Sequence, residues 1–271
     1  GSPVTKSPLD LYSQCMFLNP ALLGFSSFYS FRARYADLVE KRGQGRTYKF
    51  VTGYKNMEEL NELLTKFSHR VLKKDCLDLP EKIYLKRNIE MTKEQEKAYK
   101  ELQRFAVTFL NNSKTVTINH VITQIIRLHQ ISCGFTVTDD GVTTEIPSQR
   151  LLELSSILEE TDGKVIIWAN YRYDIQRIEK MLKEAYGENS VGTYYGGVEQ
   201  AERERVIDEF QNPDSPLRFF VGNTQTGGYG ITLTAASTVV YYSNNYDLEK
   251  RLQSEDRAHR IGQTKKSYLY R

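Results

Sequence analysis

The sequence predicts an α/β fold: a parallel sheet with helices on both faces, preceded by a mainly helical segment. Three observations predict it. From Ser148 onward, helical stripes alternate with short apolar runs across short connections, the pattern of a doubly wound sheet. Lys164-Val165-Ile166-Ile167-Trp168 is apolar without alternation, as in a strand buried on both faces. Thr226-Gly227-Gly228-Tyr229-Gly230 follows a predicted strand, at the carboxyl end where ligands gather in open α/β sheets.

Taken in order, Leu11 to Leu18 reads as a short buried helix. Phe17-Leu18-Asn19-Pro20 ends it, because Pro lacks a donor and disfavours helix before it. Residues 25–40 carry Phe25, Phe28, Tyr29, Phe31 and Tyr35 with interleaved Arg, an aromatic helical stretch whose rings suit a core. Gly43-Gln44-Gly45 is a turn or loop, and Met57 to Phe67 has helical periodicity. His69 to Lys82 is a basic turn leading into a strand, Ile83 to Ile89. Thr92-Lys93-Glu94-Gln95 is a capping box that opens a helix to about Leu110. A second helix runs from about Ile118 to Ile131, and Cys133-Gly134 stops it. Asp139-Asp140-Gly141 marks a turn between two short strands. Leu151, Leu152, Leu154, Ile157 and Leu158 stripe the next helix. Strands then fall at Lys164 to Trp168, Val191 to Tyr195, Leu217 to Val221, Thr238 to Tyr242 and Ser267 to Tyr270. Helices Arg172 to Tyr186, Glu199 to Phe210 and Asp247 to Arg260 alternate with them.

At 271 residues, with 39% hydrophobic and 26% charged residues, the chain has the composition of a globular protein with a proper core. No apolar run approaches membrane-spanning length and no secretory signal opens it, so no membrane partner is predicted. Cys15, Cys76 and Cys133 are odd in number and far apart, without CxxC or HExxH. Neither disulfides nor a metal site are predicted, and an intracellular compartment is the default. His120 and His129 lack ligand spacing and read as structural. The net charge of +3 is uneven: residues 1–90 hold 15 Lys and Arg against 10 Asp and Glu, the remainder 22 against 24. The excess gathers at Arg32, Arg34, Lys41, Arg42, Arg46 and Lys49, which suits a phosphate backbone or, equally, a solvated face.

One stretch concentrates the chemistry: Gln253-Ser254-Glu255-Asp256-Arg257-Ala258-His259-Arg260-Ile261-Gly262-Gln263. On a helix, residues three and four apart share a face, so Gln253, Asp256, Arg257 and Arg260 are expected to point the same way. Two guanidiniums one turn apart offer rigid forks of donors to phosphate oxygens. Upstream, glycines at 227, 228 and 230 let a backbone approach a phosphate or ribose closely. The spacing is not that of a dinucleotide fingerprint.

These residues carry a resemblance. The 253–263 stretch resembles motif VI of the superfamily-two helicase-like ATPases, in the form used by SWI/SNF-type DNA translocases, and matches it at Gln253, Asp256, Arg257, His259, Arg260 and Gln263. Asn223 to Ala236 resembles their motif V, with Gln225 where Lys is common and Thr232 where Asn is common. Val165 to Asn170 resembles motif IV, with Asn170 in place of a frequent Gln. Tyr194-Tyr195-Gly196-Gly197 is a looser match. Arg70, Lys73, Asp75, Leu79-Pro80 and Lys82 resemble the handover between the two ATPase lobes, and Gly1-Ser2-Pro3 the end of motif III.

The resemblance implies a RecA-like second lobe. It implies a division into the trailing part of lobe one (1–88), a helical linker (89–147) and lobe two (148–271). It implies Arg257 and Arg260 as arginine fingers, with Gly228, Gly230, Gln253 and Asp256 at the nucleotide. Thr224, Asn170, Arg70 and Lys73 would contact nucleic acid. The implied ligands are ATP with magnesium, held mainly by lobe one, and double-stranded DNA. The chain has no GxxxxGK[ST] loop, since Gly163-Lys164 is followed by Val ahead of a strand. It also has no Asp-Glu-x-His box, so it supplies half of an active site and is predicted inactive alone. A strand-separating DNA or RNA helicase, or a non-catalytic DNA- or protein-binding module on the same fold, are the alternatives.

Overall fold

The chain folds as two units, Gly1–Leu77 and Asp78–Arg271. The computed structural model describes residues 3–4, 6–43, 46–112, 118–138, 140–227 and 230–271. Gly1, Ser2 and Gly228 lie outside the described residues.

In the first unit, helices α1 (Asp10–Leu18), α2 (Phe28–Tyr35) and α3 (Met57–Thr65) enclose a small core of Leu11, Cys15, Leu23, Phe31, Tyr35 and Leu60. The aromatic stretch does pack inward at Phe31 and Tyr35, but its helix stops at Tyr35. Residues Ala36–Gly43 (β1) and Arg46–Tyr54 (β2) instead form an antiparallel hairpin. Thr47, Tyr48, Phe50, Val51 and Thr52 are strand-formers, as are Val39 and its neighbours on the other side of the sequence Gly43-Gln44-Gly45, of which Gln44 and Gly45 lie outside the described residues. That pattern marks a hairpin more than a continued helix. Helix α1 buries only Leu11 and Cys15; Phe17 is 90% exposed. The basic turn forms a short helix, α4 (Lys73–Cys76).

The second unit is built on a six-stranded parallel sheet. Its first strand is β3 (Lys82–Leu85), followed by α5 (Lys93–Asn112) and α6 (Ile118–Cys133). The expected capping box forms in both directions: Thr92 N–H donates to Gln95 Oε1 and Gln95 N–H donates to Thr92 Oγ1, each at 3.2 Å. A small hairpin, β4 (Phe135–Val137) and β5 (Thr143–Glu145), leads to α7 (Arg150–Glu159), β6 (Lys164–Trp168) and α8 (Arg172–Tyr186). Then come β7 (Val191–Tyr194), α9 (Gln200–Gln211), β8 (Phe219–Gly222), α10 (Thr224–Gly227), β9 (Ala236–Tyr241), α11 (Leu248–Ala258) and β10 (Ser267–Tyr270). The strand order is β3-β10-β9-β6-β8-β7, with every pairing parallel.

Central strand β6 explains the two layers. Val165 and Ile167 face a cluster with Leu154 and Leu158 of α7 and Ile175, Ile178 and Leu182 of α8. Ile166 and Trp168 face the opposite cluster with Val206 and Phe210 of α9 and Ala258 of α11. Alternate side chains of a strand leave on opposite faces, so a run apolar at every position can only sit between two helix layers.

Two boundaries differ from expectation. The sheet begins at Lys82, not after residue 148: β3 pairs in register with the carboxyl-terminal β10, Lys82 opposite Ser267 and Leu85 opposite Tyr270. The strand expected at the end of a 1–88 segment therefore belongs to the second unit. It is shorter than the predicted Ile83 to Ile89, and it and β10 fill adjacent places in the sheet although far apart in the chain.

Among the described buried polar side chains of the second unit, one acid is without hydrogen bonds. Asp174 is fully buried, and neither carboxylate oxygen has a hydrogen-bond partner among the described residues. Burial raises its carboxyl to about 7 against an ordinary 3.8, Arg150 and Arg177 offsetting only part. Between those two values the native state holds a proton that the unfolded chain has lost. Stability from this group is therefore full below pH 3.8 and is lost as pH rises through about 7. Asp174→Asn is expected to raise the melting temperature relative to wild type at about pH 8 and to change it little at about pH 4. Equal effects at both values in thermal denaturation would contradict the assignment. His129, read as structural, donates to or accepts from the Tyr171 hydroxyl at 2.9 Å, and burial lowers its pKa.

Candidate nucleotide-facing site

The site is built on the segment that joins β8 to β9 and on the end of α11. Asn223 follows β8 and organises the turn. Its Oδ1 accepts the Gln225 N–H at 2.7 Å, and its backbone oxygen accepts from Thr226 and Gly227. The predicted loop therefore starts as one turn of helix, α10. Its glycine at 227 has a packing reason. A Cβ there would lie 2.8 Å from the Trp168 indole, so any side chain would displace the largest buried residue of the sheet. Gly230 is different: its φ is +74°, and no atom stands within 4 Å of where a Cβ would sit. This is the open, left-handed position that the glycine-rich reading requires.

After Gly230 the chain runs beside the end of α11. Leu233 N–H donates to the Arg257 carbonyl at 2.9 Å. In return, the Arg257 guanidinium donates to the Ile231 carbonyl and, through Nε, to the Gln253 carbonyl, both at 3.0 Å. Arg260 donates to Thr232 Oγ1 at 3.2 Å and is exposed. The helix ends at Ala258, earlier than expected, with His259 as its cap. Arg260 is thus not one helical turn beyond Arg257; the two guanidiniums come together because both reach back to the 230–234 segment. Among the described residues neither forms an ion pair. Burial and then the neighbouring Arg260 charge lower the Arg257 pKa, with Asp256 a smaller opposing influence. Two like charges held together beside open space at Gly230 make a place where an anion relieves repulsion.

The other predicted nucleotide residues are placed less simply. Gln253 donates to Glu249 at 2.7 Å, while its Oε1 is buried without a partner among the described residues. Asp256 is ion-paired to Lys82 at 3.3 Å. Gly228 lies outside the described residues. Gln263 is buried and donates from Nε2 to the carbonyls of Thr234, Ala236 and Ala258 at 2.8–3.2 Å, which fixes the turn carrying Arg260 to the start of β9.

Two predicted nucleic-acid residues meet at the carboxyl ends of β6, β8 and β9. Asn170 N–H donates to Ser243 Oγ at 2.8 Å, and its carbonyl accepts from Asn223 Nδ2 at 2.7 Å. Thr224 is 8% exposed and accepts from Asn245 at 3.2 Å, so its hydroxyl is turned inward and Gln225 is the exposed side chain of that turn. Arg70 and Lys73 belong to the first unit and are exposed there.

Residues that sequence reasoning missed tie these pieces together. Glu255, buried, accepts from Arg251 at 3.1 Å, Lys82 at 3.2 Å and the Tyr84 hydroxyl at 2.8 Å. Burial and that bond to Glu255 push the Tyr84 hydroxyl up to about 12. His259 Nε2 donates to the Pro80 carbonyl at 2.7 Å. Leu79-Pro80 and Lys82 carry a signal in the sequence, but nothing local marks them as partners of the 253–263 stretch.

Comparison with known proteins bears on the whole chain. Residues 1–136 match the SNF2-related domain, and residues 148–262 match the helicase conserved C-terminal domain. The chain is 26% identical over 288 residues to Protein CHROMATIN REMODELING 4 of Arabidopsis thaliana, covering 100% of this chain and 12% of that protein. It is 26% identical over 281 residues to the putative ATP-dependent helicase/translocase YwqA of Bacillus subtilis, covering 100% of this chain and 29% of that protein. It thus spans less than a third of either relative. Among solved structures, the Sulfolobus solfataricus SWI2/SNF2 ATPase core in complex with dsDNA superposes with a TM-score of 0.57 at 26% identity, over 100% of this chain and 55% of that one. The C-terminal part of the Fun30 ATPase domain shares the fold, with a TM-score of 0.59 at 17% identity over 71% of this chain and 85% of that one. Two matched domains in series, one of them over half the chain, and a RecA-like sheet carrying paired arginines lead to one conclusion: the chain belongs to the SNF2-related ATPase family and contains that family's helicase conserved C-terminal domain.

Proposed function

We propose that the second unit acts as the carboxyl-proximal lobe of an ATP-dependent double-stranded-DNA translocase, presenting Arg257 and Arg260 to the γ-phosphate of ATP gripped by the first ATPase lobe of the same parent protein. One observation carries this reading: two guanidiniums converge on the segment after Gly230 and, among the described residues, neither is ion-paired to a carboxylate. Like charges so placed repel each other, and a polyanion relieves that repulsion. The donor set suits phosphate oxygens and not a metal. Among the described residues no group of three or more His, Cys, Asp or Glu side chains could hold a metal ion, so in this reading magnesium arrives with the nucleotide substrate and is held by the first lobe. Gly230 and Gln253 would face the nucleotide, while the Asn170–Asn223 turn, and Arg70 and Lys73 from the first unit, would meet the DNA backbone. ATP closes the lobes, and alternating backbone contacts advance the duplex.

The test is ATP hydrolysis by the full-length protein with duplex DNA, single-stranded DNA and RNA as stimulants. Duplex is expected to stimulate most; preferential stimulation by single strands or RNA would favour strand separation instead. This chain by itself, lacking a phosphate-binding loop, is expected to show no turnover above buffer. Robust hydrolysis by the purified chain would overturn the division of labour between lobes.

A further inference from the structure

The hairpin of the first unit has no part in the reading above, and its two faces are chemically unlike. Residues directly opposite in an antiparallel pair leave on the same side, and successive residues alternate. The register pairs Val39 with Phe50 and Lys41 with Tyr48, which puts these four on one face. The other face carries Leu38 opposite Val51 at the base, then Glu40 opposite Lys49 and Arg42 opposite Thr47. That second face is partly self-neutralised, since Lys49 and Glu40 form an ion pair at 3.2 Å. The first face is not. Its acid, Asp37, stands at the base of the hairpin and pairs with Lys55 at 3.7 Å. Farther out, Lys41 has no carboxylate partner among the described residues; its Nζ lies 5.8 Å from the Phe50 ring centroid.

The side chains on this face are exposed: Val39 is 45% exposed, Tyr48 46% and Phe50 49%. Cross-strand pairing helps hold a two-stranded ribbon that is marginal on its own. Tyr48 and Phe50 remain exposed, with a cation beside Phe50.

We propose that this face of the hairpin is a binding platform for single-stranded nucleic acid: Tyr48 and Phe50 stack on unpaired bases, and Lys41 takes the adjoining phosphate. Duplex DNA would use the cation alone, because its bases are stacked on one another and present no free π-face to Tyr48 or Phe50. An apolar protein surface would use the rings but bury the Lys41 ammonium without an acid, which is costly. Unpaired bases on a phosphate backbone satisfy both halves of the face at once. The inference goes beyond the duplex reading and is judged by a different measurement.

The experiment uses full-length protein and a fluorescein-labelled oligothymidylate, read by anisotropy. In the variants Tyr48→Leu and Phe50→Leu, an apolar side chain keeps the cross-strand contact while the ring is lost. Each is expected to weaken oligothymidylate binding by about 5- to 150-fold, the range for loss of one stacked base. Lys41→Gln should flatten the salt dependence of log K by about 0.7. Duplex-stimulated ATP hydrolysis should stay at the wild-type level in both leucine variants. Ultraviolet cross-linking of wild-type protein to the oligothymidylate needs no variant, and the modified peptide should contain Tyr48 and Phe50. Unchanged anisotropy in both leucine variants, equal losses for duplex and single strand, or cross-links confined to other peptides would each overturn the proposal.

Discussion

Arg260→Ala in the full-length ATPase is expected to lower duplex-stimulated kcat by about 10³–10⁵-fold, the range for removal of an arginine that stabilises charge in phosphoryl transfer. The melting temperature should not fall, because Arg260 is exposed, its side-chain hydrogen bond goes to the uncharged Thr232, and its loss relieves the repulsion with Arg257. Arg260→Lys should be nearly as damaging, since a point charge on a flexible stem cannot reproduce a planar fork. Duplex binding without nucleotide should persist. Steady-state hydrolysis alongside a melting curve decides the matter. Activity within a few-fold of wild type in a folded Arg260→Ala protein would remove the basis for the site. Arg257 is a less clean probe: it also holds the carbonyls of Gln253 and Ile231, so its replacement would loosen the segment as well as remove a charge.

Glu255→Ala is expected to destabilise the second unit by about 3–5 kcal/mol, the usual cost of removing one member of a buried charged network. The Glu255 side chain is 3% exposed, and Arg251 and Lys82 beside it are 16% and 21% exposed. The contrast is with Arg205, whose pairs to Glu202 and Glu209 lie in solvent and should be worth about 0–1 kcal/mol each. Denaturant unfolding of this chain, comparing Glu255→Ala with Glu202→Ala, separates the two classes. The Glu255 variant should also release Tyr84, whose hydroxyl should then titrate below its present value of about 12. A loss no larger than that of Glu202→Ala would show that Glu255 does not join β3 to α11.

How much of this was legible in the residues differs from place to place. The layered sheet was legible in β6, where five residues without alternation leave no solvent-facing side. The capping box at Thr92 was legible because its two hydrogen bonds are local, three residues apart. The hairpin at 36–54 was missed because the aromatic run before it reads as helix through Tyr35, and nothing nearer than the turn signals the change of period. Arg257 and Arg260 were found as a pair, but for a different geometric reason: the helix ends between them, and Thr232 and Ile231 bring the side chains together.

Chain-local physics thus determined the element types of the layered sheet and its flanking helices, the apolar central strand and the two arginines, though not the hairpin at 36–54. Tertiary structure alone decided that the Pro80–Tyr84 segment and the 253–263 stretch are two halves of one joint: Pro80 meets His259, Lys82 meets Glu255 and Asp256, and Tyr84 meets Glu255. It also decided that Gly227 answers to Trp168 while Gly230 opens to solvent. The reason is common to both. Spacing reports which neighbours share a turn or a strand face, whereas parallel pairing sets β3 beside β10 across most of the chain, a juxtaposition with no local period to announce it.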